Sequence, residues 1–381
     1  MKTFGSRFFV LLVVITLLTG CWDSRSIEDI SIVIGLGIDL DKDSDHISLA
    51  HQIIVPPSNG GDSSQGSPFK NIYTSGKTVH SAIRNLALRD DPVYSDHQRI
   101  LLIQKEVLRK YSLDEVINQL VKDDKTRRSL YVFITDESIK EVFSTSDIDE
   151  IPSNQLYSLI ENRSRSTKIL PAVSLGKVSS NLQKNASFVL QDVQIINQQI
   201  ALSGGGIIDN GRIMEQGLTV DDIATLNWFT GDLDGGVIST IEKGMPLAFE
   251  ILDEVKVKVT SEYKEDQIFI SVHSETVGRI SEDWNEQEDS FTESYSKNRE
   301  KAVEKEIEDR VLDFIHKLQT ELKVDATNLS EYMRVQQPDF WEKHKKDWNQ
   351  YFCESDISFS VSVTVEDFGT KGSTKKMKNE M

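Results

Sequence analysis

The chain has 381 residues, is 38% hydrophobic, and carries 61 acidic against 43 basic residues for a formal net charge of −18. That length leaves room for two or three folded units, and the acidic excess repels phosphate backbones, so nucleic-acid binding is not expected. With only two cysteines, Cys21 and Cys353, no disulfide framework is expected and folding must rest on packing.

Lys2 and Arg7 precede an apolar run from Phe8 to Leu18, and small residues then lead to Cys21, which is the layout of an export signal. Roughly eleven apolar residues cover about 16 Å as a helix, little more than half a hydrocarbon core, so removal is expected rather than a membrane span. Leu18-Thr19-Gly20-Cys21 matches a lipobox, in which cleavage falls between Gly20 and Cys21 and a thioether-linked diacylglycerol, with or without an N-acyl chain, sits on Cys21. Two acyl chains on one residue supply the double signal that stable anchoring needs. No other segment is apolar enough to span a bilayer. The expected divisions are a signal peptide over 1–20, an N-terminal α/β region over 21–198, a C-terminal α/β region over 199–369 as one domain or two, and a basic tail over 370–381. Lys371, Lys375, Lys376 and Lys378 in that tail are read as a solvated end, with weak attraction to anionic lipid as the alternative.

After the anchor, Ile32 to Asp39 and Ile47 to Val55 flank the acidic stretch Asp41 to Asp45 and read as a hairpin. Pro57 to Gly76 is rich in Gly, Ser and Asn and reads as a surface loop. Val79, Ala82, Ile83 and Leu86 recur at helical spacing. Ile100 to Ile103 reads as strand, Val107 to Val121 as helix and Leu130 to Ile134 as strand, an α/β rhythm. From Ile151 to Lys184 the pattern weakens toward a long connection or peripheral helices, and the first unit is expected to end near Asn197.

The second region starts with Ile200 to Ile208, turns at Asp209-Asn210-Gly211 and returns through Ile213 and Met214, since Asn-Gly suits two central turn positions of positive φ. Thr219 is placed to cap a helix by accepting from the backbone of Asp222. Val255, Val257 and Val259, then Ile268, Ile270 and Val272, predict an antiparallel pair with one wet face. Phe291, Tyr295, Val303, Ile307, Val311, Phe314, Leu318 and Leu322 form the apolar stripe of a long helix, expected to pack on its own sheet. Pro338 is expected to open a helix through Trp341 and Trp348, and Ile357 to Val365 to close the domain as a strand. The fold class is therefore α/β (α+β), an elongated multi-domain protein of mixed sheets flanked by helices.

Motifs for catalysis fail one by one. Asn71 to Thr78 imitates a phosphate loop, but its first position is Asn71 where glycine is required, and Leu202-Ser203-Gly204-Gly205-Gly206 has no such loop to serve. The glycines are read instead as a bulge or a close backbone approach. Asp41, Asp43 and Asp45 open like a calcium loop, yet His46 and Gln52 stand where a glycine and a glutamate are needed. There is no H-E-x-x-H, C-x-x-C or G-x-S-x-G, so no catalytic residue, metal or cofactor is expected.

Gly20-Cys21-Trp22-Asp23 with Arg25, Gly35-Leu36-Gly37-Ile38-Asp39, and Pro338-Asp339-Phe340-Trp341 with Asp347-Trp348 and Tyr351-Phe352 resemble, in order and spacing, the spore-germination C-subunit lipoproteins, the Ger(x)C family. Asp124 with Arg127 and Arg128 fits the family's acid-then-arginine step before a strand. Ser26 departs from the usual acidic residue, and Asp325 leads into Ala326 to Tyr332 where relatives commonly have a glycine-containing turn. The resemblance implies a non-catalytic subunit of a nutrient germinant receptor on the spore inner membrane. Its implied partners are a multi-pass A subunit with soluble domains and a transporter-like B subunit. The alternative from the residues is a solute-binding lipoprotein delivering a small molecule to a transporter, which predicts a cleft between two domains. An envelope hydrolase ranks third.

Overall fold

The computed structural model describes residues 31–41, 44, 46–55, 67–90, 93–145, 150–285 and 292–367. Ser31–Leu40 (β1) and Ile47–Ile54 (β2) form the expected antiparallel pair. Phe69–Gly76 (β3) then pairs with β2 along its whole length, which corrects the expectation of a loop through Gly76. Phe69, Ile72, Tyr73 and Thr74 favour a pleated strand, and an edge position tolerates the polar residues between them. Side chains blunt that edge, with Arg89 donating to the Tyr73 carbonyl and Asn85 to the Ser75 carbonyl.

Val79–Arg84 (α1) starts from a Thr78–Ser81 capping box and is followed by Val93–Tyr94 (β4) and Ile100–Gln104 (β5). The single helix expected over 107–121 is two, Lys105–Lys110 (α2) and Leu113–Lys122 (α3). Ser112 restarts the helix because its hydroxyl accepts from Glu115 N while the Glu115 carboxylate accepts from Ser112 N. That reciprocal cap prevails over a continuous apolar period. Tyr131–Thr135 (β6), Ile139–Ser144 (α4), Pro152–Glu161 (α5) and Leu175–Gln183 (α6) follow. The helices α5 and α6 are not peripheral, since Leu156, Leu175 and Val178 are fully buried. Few apolar residues mark them in sequence, but nearly all of those reach the core.

Phe188–Ile196 (β7), Gln199–Asp209 (β8) and Arg212–Ile213 (β9) complete a sheet ordered β3-β2-β1-β5-β6-β7-β8-β9, with β4 beside β1. Strands β1, β5, β6 and β7 run parallel in its centre. Asn210 and Gly211 take φ of 48° and 74°, the turn that the Asn-Gly pair predicts. The hairpin nevertheless belongs to the first sheet: β7 and β8 pair across the expected 198/199 division, from Phe188↔Ile208 to Ile196↔Gln199.

Beyond it, Thr219 caps Val220–Thr230 (α7) through Asp222 as expected. Gly236–Glu242 (β10) and Met245–Ile251 (β11) form a hairpin that the sequence reading does not foresee. Lys256–Lys264 (β12) and Gln267–Asp283 (β13) are the foreseen pair, with β13 running on to meet β11. The long helix is Glu293–Lys317 (α8), continued by a π-turn over Leu318–Leu322. Phe291 lies outside the described residues, but Tyr295, Val303, Ile307, Val311, Phe314, Leu318 and Leu322 are all buried. Leu329–Gln336 (α9), Pro338–His344 (α10) and Trp348–Glu354 (α11) lead to Asp356–Asp367 (β14), parallel to β13. The expected helix through Trp348 is broken by a 3-10 turn at Lys345–Asp347.

Helix α8 also seals the free edge of β14. Glu300, Glu304 and Glu308, one turn apart, accept from the backbone N–H of Val365, Val363 and Val361 at 2.9, 3.0 and 3.2 Å. On the opposite edge, Gln336 accepts from Ser261 N and donates to Val259 O, imitating a strand beside β12. Each sheet is thus helix-flanked. One apolar cluster joins them, since Leu170, Val189, Ile207 and Leu218 share it with Trp228, Phe249 and Val311.

Candidate functional site

Gly20, Cys21, Trp22, Asp23, Arg25 and the basic tail lie outside the described residues, as do Asp43 and Asp45 of the calcium-like turn. The remaining residues that carry the resemblance can be placed. Gly35 to Asp39 form the middle of β1, between β2 and β5. A Cβ on Gly35 would stand 1.9 Å from Ser153 Oγ, and one on Gly37 2.1 Å from Ile139 Cγ2. The two glycines therefore let α5 and α4 press onto one face of the sheet, while Leu36 and Ile38 bury themselves on the other. Asp39 accepts from Ile139 N at 3.3 Å, tying the strand to the first turn of α4. The motif is a packing device.

The second group converges on one buried carboxylate. Asp325 Oδ1 accepts from Thr327 N, Thr327 Oγ1 and Leu329 N, and Oδ2 from Ser330 N and Trp348 Nε1 at 2.8 and 2.7 Å. Lys323 and Asn328 hold left-handed φ of 53° and 64° on either side. The indoles of Trp341 and Trp348 meet edge to face with centroids 5.6 Å apart, and Phe340 packs on Tyr263, His344 and Tyr351. Trp348 is buried and Trp341 packs partly buried against the same core, which agrees with the reading of the pair as core. Asn349 next to it receives Asp325 N and donates to Asp209 Oδ1 at the end of β8. The closing motif thereby fastens α11 to the first sheet. Arg127 and Arg128 are exposed before β6, where Arg128 O accepts from Gly176 N.

At the carboxyl ends of the parallel strands, where ligands commonly bind in α/β sheets, Lys105 Nζ lies 2.7 Å from Asp136 and 2.6 Å from Asp192. Arg109 reaches the other oxygen of Asp136. Burial opposes charge on Lys105, but the two carboxylates outweigh it and raise its pKa. With its charged form favoured, Lys105 ties Asp136, just after β6, to Asp192 within β7 as an ionic clasp. Burial also raises the Cys353 thiol, which packs against the C-terminal core. Among the described residues no cluster of three or more His, Cys, Asp or Glu could hold a metal ion. The phosphate-loop imitation is strand β3 running into α1, with Asn71 donating to Phe143 O. In the glycine run, Gly204 has φ 117° and a Cβ there would meet Leu218 O at 2.3 Å, the close approach that the sequence reading expects.

Two clefts are candidates for ligands. One, about 550 Å³, lies between α7, α8 and β10, and its rim charges pair with one another, Lys168 with Asp221 and Lys317 with Asp222. The other, about 520 Å³, lies within the first unit and is lined by His51 and Gln98. Sequence reasoning missed it because its residues come from separate elements and form no linear motif.

Residues 23–195 match the family described as the spore germination protein N-terminal domain, and residues 203–369 the one described as spore germination B3/GerAC like, C-terminal. Spore germination protein A3 of Bacillus subtilis (strain 168) is 38% identical over 97% of this chain and 99% of its own length. Spore germination protein B3 of the same organism is 34% identical over 98% and 100%. The crystal structure of the GerBC protein superposes with a TM-score of 0.62 at 28% identity, covering 90% of this chain and all of that one. The chain belongs to the GerAC-like family of spore germination proteins, the C subunits of germinant receptors.

Proposed function

We propose that the chain is a lipid-anchored, non-catalytic adaptor within a nutrient germinant receptor. Cys21 would carry the diacylglycerol and hold the protein on the outer surface of the cytoplasmic (spore inner) membrane. Surfaces of the folded part would dock the multi-pass A subunit and the transporter-like B subunit, so that nutrient binding becomes a germination signal. The observation that carries the reading is the end-to-end match to germination proteins A3 and B3 in a chain that opens with a lipobox. Among the described residues no helix is long and apolar enough to cross a membrane, and attachment in this reading rests on the lipid. We read the folded part as an N-terminal unit through Ile213 and a C-terminal unit through Asp367, coupled by their common apolar cluster. A shared core transmits displacement between units better than a flexible linker does.

Deletion of the gene in a sporulating host tests the reading. Loss of response to a particular nutrient, restored by the intact chain, is the expected result; unchanged germination with every nutrient would overturn it.

A further inference from the structure

The edge of a sheet presents backbone N–H and C=O groups that another strand can pair with, and folded proteins usually cover them. Here Arg89 and Asn85 cover β3, Glu300, Glu304 and Glu308 cover β14, and Gln336 covers β12. Strand β10 differs. Lys243 and Gly244, with φ of 51° and 81°, form the two-residue turn of its hairpin, so Glu242 and Met245 flank that turn as a hydrogen-bonded pair. Bonded pairs recur at every second residue, which turns the N–H and C=O of Val237, Ser239 and Ile241 away from β11. Pro246, with no N–H to give, accordingly lies opposite Ile241. Among the described residues one bond reaches these outward groups, from Arg310 Nη2 to Ser239 O at 3.1 Å.

The side chains on this edge invite pairing as well. Val237 and Ile241 are β-branched and 45% and 72% exposed, where a protected edge would carry lysine or proline. Ile238 and Thr240 between them are buried. Val237 and Ser239 also form one wall of the cleft of about 550 Å³, with α7 and α8 as the others. The cations lining it are each paired, Lys168 with Asp221, Lys317 with Asp222 and Arg310 with Glu306. Asp313 on α8 is left without a partner among the described residues. That acid favours a cationic occupant, and the chain's net charge of −18 opposes a second copy of itself at the same place.

We propose that β10 is the docking edge for another polypeptide, a cationic extended segment that adds to the sheet as a strand beside residues 237–241. Its β-branched residues would lie next to Val237 and Ile241, with lysine or arginine at the alternate positions toward Asp313. Main-chain bonds supply the affinity of such a strand, and its alternating side chains the selectivity. The proposal rests on the adaptor reading for the premise that other proteins dock on this chain, but its test does not involve germination.

The mature chain carrying Cys21→Ala is titrated with the peptide acetyl-KVKIKVK-amide, and amide exchange is followed residue by residue by NMR. In the free chain the amides of Val237, Ser239 and Ile241 should exchange roughly tenfold or more faster than those of Ile238 and Thr240, and saturating peptide should protect them. Ile241→Lys, at an exposed side chain, should weaken binding roughly tenfold or more, and Asp313→Asn about two- to fivefold. If Ile241→Lys disturbs the parent spectrum, Val237→Lys makes the same change at the other end of the edge. The acidic acetyl-EVEIEVE-amide and the non-alternating acetyl-KKVVIKK-amide should bind more weakly. Equal binding of either, or binding indifferent to lysine at the edge, would overturn the proposal. Slow exchange of the three amides in the free chain would mean that the edge is already filled, by the chain's own tail or a second copy, and would overturn it too. Absence of saturation at millimolar peptide would do the same. A nutrient response lost on gene deletion would survive any of these results, so failure of this docking mode is distinct from failure of the adaptor reading.

Discussion

Replacing Asp325 by Asn should destabilise the C-terminal unit far more than an isosteric change ordinarily does. The carboxylate is 2% exposed and accepts five hydrogen bonds, three on Oδ1 and two on Oδ2. An amide keeps one acceptor oxygen and turns an NH2 group toward donors. Its better orientation leaves Ser330 N and Trp348 Nε1 facing that NH2, so two buried donors lose their acceptor at about 1–3 kcal/mol each, roughly 2–6 kcal/mol together. Trp348→Phe removes a donor along with its bond and should cost less, because no buried group is left wanting a partner. The assay is urea unfolding of the mature Cys21→Ala chain by tryptophan fluorescence, comparing midpoints at unchanged slope. An Asp325→Asn midpoint corresponding to a loss under about 0.5 kcal/mol would refute the reasoning, since only a solvated or relaxed carboxylate could be replaced so cheaply.

Further expectations follow from the same geometry. Gly204→Ala places a Cβ 2.3 Å from Leu218 O at a φ of 117°, so it should cost at least about 2 kcal/mol by the same unfolding assay, whereas Gly244→Ala should cost less because nothing lies within 4 Å of its Cβ position. His51, with a pKa of about 4 in the fold against 6.5 as a free side chain, makes its unfolded form bind the proton first as pH falls. Its contribution is therefore whole above pH 6.5 and declines toward pH 4 by about 1.4 kcal/mol per unit, roughly 3 kcal/mol in all, and His51→Gln should flatten that part of the stability profile relative to the parent. Combined Glu300→Ala, Glu304→Ala and Glu308→Ala strips the acceptors from the β14 edge and should promote concentration-dependent self-association, read by sedimentation velocity.

The elements that the sequence makes legible are those whose local chemistry and tertiary role agree. Thr219 with Asp222, the Asn210-Gly211 turn, the alternating valines of β12 and the apolar stripe of α8 each carry their own cause within a few residues. Failures arise where a neighbour supplies the reason. Strand β3 looks like a polar loop because its stability comes from a ladder to β2 and from Arg89 and Asn85 on its outer edge. The Ile200 to Ile213 hairpin is recognised as a hairpin, but its pairing with β7 across the 198/199 boundary is not, because register is a property of the pair rather than of either strand. The Gly35–Asp39 motif signals resemblance without revealing its cause, which is the approach of Ser153 and Ile139 from more than a hundred residues away. The pocket lined by His51 and Gln98 is invisible in the sequence for the same reason, whereas the expectation at Cys21 comes entirely from its immediate neighbours.

The central claim, a receptor subunit held at the membrane through Cys21, is tested most directly by Cys21→Ala in sporulating cells, with membrane fractionation and germination on single nutrients. The account predicts loss of the protein from the membrane together with a nutrient-specific germination defect. Retention at the membrane with normal germination on every nutrient would contradict it.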